Sequence, residues 1–112
     1  MSGTATEVVE AAFRLYRAQD RDAAVALYAD DFTFTSPQDD HIDKAAFFER
    51  CFPTADRFRR HRLLWVTPAD EELVFVLYEY ELATGERYRN TEAITVRDGL
   101  IREVQVFFGG RA

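Results

Sequence analysis

The chain has 112 residues, of which 47% are hydrophobic and 30% are charged, a balance that is typical of globular proteins and argues against disorder. This length fits a single domain, residues 1–112, with a core of its own. The formal net charge is −6 and the basic residues are scattered among acidic ones, so we expect no nucleic-acid partner.

Nothing in the sequence predicts a membrane segment or an export signal. No apolar run approaches the ~20 residues of a membrane-spanning helix. The start of the chain, MSGTATEVVEAA, lacks the basic residues and the apolar core of a signal peptide. The single cysteine, Cys51, cannot form an internal disulfide, which agrees with a reducing compartment. We therefore expect a cytoplasmic protein with no membrane partner.

Two helices are predicted at the start of the chain. In TATEVVEAAFRLYRAQD, apolar residues recur at helical spacing, and Thr4 with Glu7 fits a capping box. Asp20 then caps a short second helix, RDAAVALYA, which includes Tyr28 on its apolar face and which the next two aspartates end.

A short strand and a third helix follow. The segment DFTFTSP alternates phenylalanine with threonine before Pro37, the pattern of a half-buried strand. In HIDKAAFFERCFP, Asp43 is the predicted N-cap, Ile42 and Phe47 are placed for a hydrophobic staple, and Pro53 ends the helix.

The rest of the chain has the pattern of four long strands, RHRLLWVTP, ELVFVLYEYELA, RYRNTEAITV and LIREVQVFFG. Asp98-Gly99 and the segment ATGE are hairpin signals, so the last three strands should form an antiparallel meander. Helices followed by antiparallel strands predict an α+β fold, with three helices packed on one face of the sheet. Such a sheet, if strongly curved, leaves a hollow between itself and the helices.

One of these strands carries polar residues on its inner face. Side chains alternate along a strand, so Tyr88, Asn90 and Glu92 face the same way as Ile94 and Val96. A glutamate and an asparagine in line with core residues indicate that the filled core stops there and a pocket begins.

Two segments resemble a known family. The segment AQDRDAAVALYADDFTFTSP and the closing hairpin NTEAITVRDGLIREVQVFFG are similar to the nuclear transport factor 2-like superfamily, which includes SnoaL-like proteins, ketosteroid isomerases and limonene epoxide hydrolases. The resemblance covers nearly the whole chain and implies a cystatin-like cone with a pocket between the helices and the concave face of the sheet. It implies no particular reaction, because this fold hosts enzymes, binding modules and assembly domains.

The resemblance also implies which side chains line the pocket, and strand alternation selects the same residues on the last strands. The predicted lining surrounds the polar pair with apolar and aromatic groups: Phe13, Tyr16, Tyr28, Phe34, Phe52, Tyr78, Tyr80, Tyr88, Asn90, Glu92, Val104, Val106 and Phe108. We expect a small, largely apolar molecule as the ligand, and no cofactor.

Glu92 and Asn90 are the candidate catalytic residues. A carboxylate in an aromatic pocket loses its hydration, so its pKa should rise, which suits a group that transfers protons. Alternatively, Glu92 is a structural anchor held by a tyrosine, a helix-end amide or an arginine. Asn90 likewise either orients a substrate carbonyl or a water, or braces Glu92.

Other parts of the isomerase and epoxide hydrolase sites do not carry over. By the resemblance, Ser36 stands where the isomerases place an aspartate base before a proline, and Ala12 stands where they place a tyrosine. The epoxide hydrolases use an arginine that bridges two aspartates. The nearest stretch of this chain is Asn90-Thr91-Glu92, which has no such arrangement. The first interpretation is therefore a ligand-binding domain without an assignable reaction, and the alternative is an isomerase, cyclase or hydrolase that uses Glu92 for proton transfer.

The remaining chemically active residues have simpler interpretations. His61, beside three arginines, is interpreted as a surface residue at a strand end rather than a pocket base. The segment DDHID suits a helix-capping loop and has no spaced histidine or cysteine partner, so we expect no metal site. Cys51 lies among phenylalanines and is interpreted as a small core residue.

The sheet face opposite the pocket tyrosines is predicted to be apolar as well. Phe75, Leu77 and Phe107 point to that side, and an exposed apolar sheet face indicates an interface. The resemblance implies the same, since these cones commonly dimerise through their sheets. We therefore expect a homodimer formed through the convex face.

Overall fold

The computed structural model describes residues 4–112, so the first three residues of the segment examined for a signal peptide lie outside the described part. Over that range the helices are α1 (Ala5–Ala18), α2 (Arg21–Val25), α3 (Lys44–Arg50) and a 3₁₀ helix (Phe52–Arg57). The strands are β1 (Tyr28–Thr35), β2 (Ile42–Asp43), β3 (Phe58–Pro68), β4 (Leu73–Leu82), β5 (Arg87–Arg97) and β6 (Leu100–Arg111).

The described strands form one sheet in the order β2-β1-β6-β5-β4-β3. Neighbouring strands are antiparallel except β1 and β6, which run parallel. The helices pack on one face of this curled, unclosed sheet, which confirms the predicted α+β architecture. No helix within residues 4–112 is long and apolar enough to cross a membrane.

Helix α1 begins where the capping box predicts. The Glu7 amide donates to Thr4 Oγ1 at 3.2 Å, and the Thr4 amide donates to Glu7 Oε1 at 2.9 Å, so two backbone donors at the helix start are satisfied. The buried face of the helix includes Val9, Ala12 and Phe13, which pack towards the sheet.

The boundary between α2 and β1 differs from the prediction. Helix α2 ends at Val25, and Tyr28 begins a strand instead of lying on the helix. The reason is tertiary: Tyr28 pairs with Ile101 of β6, and the Ile101 amide donates to the Leu27 carbonyl at 2.8 Å. The two aspartates expected to end the helix lie inside β1, where the register with β6 shifts.

Helix α3 begins as predicted and continues differently after its end. Asp43 caps it, with its carboxylate accepting from the Ala46 amide at 2.9 Å, as expected. Pro53 does not end the helical segment but lies in the first turn of the 3₁₀ helix, which carries the chain on to Arg57. This extra turn brings Thr54 and Arg57 beside the open end of the fold.

The meander formed by β4, β5 and β6 has the predicted antiparallel register. Asp98 and Gly99 at its last turn have φ values of 55° and 76°, the left-handed conformation that a tight hairpin turn requires. Across the three strands Tyr78 faces Asn90, and Asn90 faces Phe108. Asn90 therefore lies between aromatic neighbours, whereas Glu92 lies between Val76 and Val106.

A shift in register in β3 changes which face Trp65 occupies. Leu63 pairs with Tyr78 of β4, but Trp65 pairs with Leu77, so an extra residue lies between them. Such a bulge reverses the alternation of side chains. Strand alternation alone would place Trp65 on the same face as His61, but with the bulge Trp65 lies on the outer face of the sheet.

The outer face, defined here as the side away from the helices, carries an apolar row. Trp65, Leu77, Thr91 and Phe107 stand directly opposite one another on β3, β4, β5 and β6. The side chains of Trp65 and Phe107 are 67% and 55% exposed, and that of Phe75 beside them is 37% exposed. The three outer-face residues predicted from alternation thus share this side.

The filled core lies between α3 and the β1–β6 part of the sheet. Phe32 is 1% exposed and packs edge-on against Tyr28 and Phe47, with ring centroids 4.9 and 5.2 Å apart. Edge-to-face aromatic packing of this kind stabilises a core beyond its buried area. The aromatic core supports one end of the sheet, and the other end encloses an open space.

Candidate functional site

A cavity of about 520 Å³ lies between α1, the 3₁₀ helix and the inner face of β3 to β6, within the range of roughly 300–1,000 Å³ of ordinary ligand sites. Of the predicted lining residues, those whose side chains reach this cavity are Phe13, Tyr16, Tyr28, Phe34, Phe52, Tyr78, Tyr80, Asn90, Glu92, Val104, Val106 and Phe108. The wall is thus mainly aromatic and apolar.

Tyr88 is the member of the predicted set that does not line the cavity. Its hydroxyl donates to Glu86 Oε2 at 2.8 Å, near the β4–β5 turn. Its ring lies 5.7 Å from that of Tyr80 and 5.8 Å from that of Phe108, counted between centroids. Tyr88 therefore supports two lining residues from behind.

Three polar side chains form a hydrogen-bonded chain on the cavity wall. The Tyr78 hydroxyl donates to Glu92 Oε2 at 2.7 Å, and Asn90 Nδ2 donates to the Tyr78 hydroxyl at 3.1 Å. Because the amide already donates to that oxygen, the hydroxyl proton is directed to the carboxylate. Glu92 has no other hydrogen-bond partner and no salt-bridge partner among residues 4–112.

The electrostatics of Glu92 follow from this sparse environment. Burial raises the pKa of Glu92 to about 7, and the hydrogen bond from Tyr78 opposes that rise only in part. The carboxyl lies within the protein but at the wall of a cavity, so its side chain is half-buried by accessible area. At neutral pH both the acid and the carboxylate are populated, which allows the group to give or take a proton.

The pKa of Tyr78 moves in the same direction for related reasons. Burial raises it first, and the negative charge of Glu92 raises it further. Tyr78 therefore remains a neutral hydroxyl at neutral pH and acts on Glu92 as a hydrogen-bond donor. The sequence left a tyrosine, a helix-end amide or an arginine open as the partner of Glu92. In the structure the partner is the tyrosine, Tyr78.

His61 lies in the cavity wall, so its interpretation as a surface residue is wrong. Its ring stacks on that of Tyr78 with centroids 4.9 Å apart and an interplanar angle of 25°. Burial, together with the nearby charge of Arg17, lowers the pKa of His61 to about 4, so the imidazole is neutral at neutral pH. The sequence did hold a signal: Arg60 and Arg62 alternate with His61 and point outward.

Two further residues of the cavity wall, Ser36 and Cys51, have defined hydrogen-bond contacts. The Ser36 hydroxyl accepts a hydrogen bond from the Gln38 amide at 3.2 Å and so shapes a turn. Cys51 packs against the core and also lines the cavity, and its thiol donates to Asp39 Oδ2 at 3.8 Å. Burial raises the pKa of Cys51 to about 11, so it is a thiol rather than a thiolate nucleophile.

The sequence reasoning missed much of the lining. These further residues come from α1, the loop after β1, the α3–3₁₀ segment and the inner strands: Ala12, Ser36, Pro37, Gln38, Asp39, Phe47, Arg50, Cys51, Thr54, Arg57, Phe58, His61, Leu82, Ile94 and Ile101. Loops and helix ends are placed by tertiary packing, so residue spacing gave no signal for most of them. Across the described part of the chain, no group of three His, Cys, Asp or Glu side chains is arranged to hold a metal ion.

Comparison with known proteins gives a family match. The model of the SnoaL-like domain matches residues 9–104. A search of curated proteins finds no significant match.

Among solved structures, a protein from Kribbella flavida is 23% identical, with 96% of this chain and 88% of that chain covered and a TM-score of 0.83. SalBIII, an epoxide hydrolase/cyclase-like enzyme of pyran ring formation in salinomycin, is 21% identical over 96% of this chain and 95% of that one, with a TM-score of 0.76. These two likenesses concern the fold alone. A protein from Xanthomonas campestris, named as a candidate polyketide cyclase, is 26% identical over 94% and 90% of the chains, with a TM-score of 0.69.

The raised pKa of Glu92 predicts a specific dependence of stability on pH. The folded state holds the Glu92 proton more tightly than the unfolded state, so the free energy of unfolding falls as pH rises from about 4.5 through about 7. Glu92→Gln removes this titration. The variant should therefore gain stability relative to the original protein by on the order of 2 kcal/mol as pH rises through that window.

Urea denaturation over a pH series measures this difference. His61 titrates in the opposite sense, but it is present in both proteins and cancels in the difference. Glu49→Gln, at an exposed position, is the control for removal of a negative charge. Parallel pH profiles for Glu92→Gln and the original protein would show that Glu92 does not titrate near neutrality.

Proposed function

The chain belongs to the SnoaL-like domain family, and from that membership we propose that residues 1–112 act as one such domain whose cavity binds a small, largely apolar molecule. The observation that carries this proposal is the cavity of about 520 Å³ with a mainly aromatic wall. Apolar side chains that face open space instead of packing against one another stabilise the fold less than a filled core does. A ligand that fills the space restores those contacts.

The polar chain in the cavity supports binding of a molecule that has at least one polar atom. Asn90, Tyr78 and Glu92 are linked by hydrogen bonds of 3.1 and 2.7 Å, so their orientations are set before a ligand enters. A few oriented polar groups in an apolar pocket are the usual source of specificity in small-molecule sites. A cytoplasmic location is proposed with this function, supported by the free thiol of Cys51.

Binding of apolar probes should raise the melting temperature of the protein. A panel of bicyclic aromatic alcohols and ketones tests this by thermal denaturation, since a ligand at a hundred times its Kd stabilises the folded state by about 2.7 kcal/mol. Val106→Phe fills part of the cavity and should reduce the shift for every probe that binds. Val25→Phe, at a half-buried position outside the cavity wall, is the control. A panel with no effect on the original protein would contradict the binding proposal.

An enzymatic function is the second candidate, and the titration of Glu92 near neutrality favours it. In this proposal the carboxylate removes a proton from the carbon next to a carbonyl group and later returns it. Oxygen Oε1 receives the proton, because Oε2 is held by the Tyr78 hydroxyl at 2.7 Å. Asn90 or a tyrosine hydroxyl of the cavity steadies the negative charge that develops on the carbonyl oxygen. Two structural neighbours bear names from cyclase chemistry.

Exchange of carbon-bound hydrogen for deuterium tests the enzymatic proposal directly. With β-tetralone as the probe, NMR should show exchange faster than in buffer, by roughly 10²–10⁴-fold if Glu92 acts as a general base. The rate should rise as pH passes about 7, where the carboxylate replaces the acid. Glu92→Gln should abolish the acceleration, whereas Glu49→Gln should keep it. Acceleration that persists in Glu92→Gln would exclude Glu92 as the base.

A homodimer formed through the outer face is the proposed assembly. Trp65, Leu77, Phe107 and Phe75 place an apolar patch there, and three of these four are more than a third exposed. Contiguous exposed apolar surface of this kind is typical of protein interfaces. The patch lies on the opposite side of the sheet from the cavity, so dimerisation leaves the cavity mouth open.

Two adjacent phenylalanines on β6 test this assembly. Phe107 and Phe108 are each 55% exposed, but only Phe107 lies on the outer face. Phe107→Glu should convert a dimer to a monomer in analytical ultracentrifugation, because two carboxylates would be buried against apolar surface. Phe108→Glu should leave the dimer intact. A monomeric original protein, or equal effects of the two variants, would contradict the proposed interface.

A further inference from the structure

The charged side chains at the cavity wall are not all neutralised by one another. Arg50 pairs with Asp39, with its Nη1 atom 3.3 Å from Oδ1. Glu92 is bound only by the Tyr78 hydroxyl. Arg57 has no acidic side chain within 4 Å among residues 4–112 and donates no hydrogen bond there. One guanidinium at the cavity is therefore available to a ligand.

Arg57 is exposed to solvent, and its guanidinium packs at the edge of the cavity. It is the last residue of the 3₁₀ helix, directly before β3 begins. Its guanidinium carbon lies 5.4 Å from the ring centroid of Phe58, which itself lines the cavity. Stacking on an aromatic face orients a guanidinium and leaves its N–H donors free for another partner.

The placement of Arg57 brings its charge near other residues of the cavity wall. Arg57 lines the cavity together with Tyr16 of α1, Tyr80 of β4 and Cys51 at the junction between α3 and the 3₁₀ helix. Burial raises the pKa of these three residues, and the positive charge of Arg57 opposes the rise in each.

Arg57 and Glu92 do not serve each other as counter-ions. The pKa of Glu92 follows from burial and the Tyr78 hydrogen bond, and the charge of Arg57 makes no resolved contribution. A nearby cation would have lowered it. Glu92 in the interior and Arg57 at the mouth are therefore not paired with each other, and Arg57 has no anionic partner among residues 4–112.

We propose that Arg57 recognises an anionic group, so that the ligand of this cavity is an amphipathic acid whose apolar body lies among the aromatic side chains and whose carboxylate lies at the mouth. This inference rests on the proposed binding function and names its ligand class. A guanidinium binds a carboxylate with two parallel hydrogen bonds, which gives direction as well as charge complementarity. The net charge of the protein is −6, and this overall negative charge repels an anion. The positive charge of Arg57 opposes that repulsion locally, at the cavity mouth.

The interior of the cavity is consistent with one orientation of such a ligand. An anionic group near Glu92 would repel the ionised form of that side chain and would meet no cation. The aromatic side chains Phe13, Tyr28 and Phe34 instead suit an apolar body. The acid group therefore remains at the mouth, where water also solvates part of its charge.

A matched pair of probes tests this assignment. Naphthylacetate and naphthylethanol share the same ring system and chain length and differ in the presence of a negative charge. Isothermal titration calorimetry should show the carboxylate binding more tightly to the original protein. Arg57→Gln should weaken carboxylate binding by about tenfold, the usual scale for loss of one charge-assisted contact at a partly exposed site. The alcohol should bind equally to both proteins.

Two further variants separate the effect of a positive charge at position 57 from the effect of the protein's net charge. Arg57→Lys keeps the cation and should retain most of the preference for the carboxylate. Arg60→Gln removes the same charge from an exposed position that does not line the cavity, and it should leave both affinities unchanged. Raising the salt concentration should weaken binding of the carboxylate more than binding of the alcohol.

The outcomes distinguish failure of this inference from failure of the binding proposal. Equal affinities for the two probes, or a loss of carboxylate binding in Arg60→Gln as large as that in Arg57→Gln, would overturn the role of Arg57 and leave the apolar cavity proposal intact. If neither probe binds the original protein, the binding proposal itself is contradicted, and the assignment of Arg57 falls with it.

Discussion

The register between β4 and β5 is the constraint on which the interior of this protein depends. It places Tyr78 directly opposite Asn90 and Val76 directly opposite Glu92. The tyrosine hydroxyl then reaches along its neighbouring strand to the carboxyl, and the amide fixes the hydroxyl from the other side. A shift of β5 by one residue would turn Asn90 and Glu92 to the outer face and away from Tyr78, because side chains alternate along a strand.

The same register explains why a glutamate is tolerated in an apolar surrounding. Burial of a carboxylate is costly, and one neutral hydrogen bond offsets only part of that cost. The group responds by retaining its proton up to a pKa of about 7. An arginine in place of the tyrosine would hold the carboxylate ionised, and the group would then no longer titrate near neutrality. With Tyr78 as its partner, the Glu92 carboxyl can change its protonation state near neutral pH instead of remaining permanently ionised.

The wall and the mouth of the cavity differ in their chemistry. At its wall the carboxyl of Glu92 lies beside neutral aromatic and hydroxyl groups, including the unprotonated ring of His61. At its mouth Arg57 stacks on Phe58, and Arg50 pairs with Asp39. The difference arises because the wall is built by the inner face of the sheet, whereas the mouth is built by the 3₁₀ helix and the loop after β1. The wall therefore favours neutral groups, whereas the mouth is open to water and tolerates charged groups.

The sequence by itself determined the parts of this protein that depend on local patterns. Caps at Thr4 and Asp43, the hairpin at Asp98-Gly99 and the inward direction of Glu92 follow from short-range hydrogen bonding and strand alternation, and the family resemblance added the fold. Tertiary structure alone decided what depends on distant partners. Pairing with β6 turned Tyr28 from helix to strand, and a bulge in β3 separated Trp65 from His61. Packing of the 3₁₀ helix against α3 and α1 brought Arg57 to the cavity mouth. These positions are set by contacts between segments far apart in the chain, which spacing within one segment does not encode.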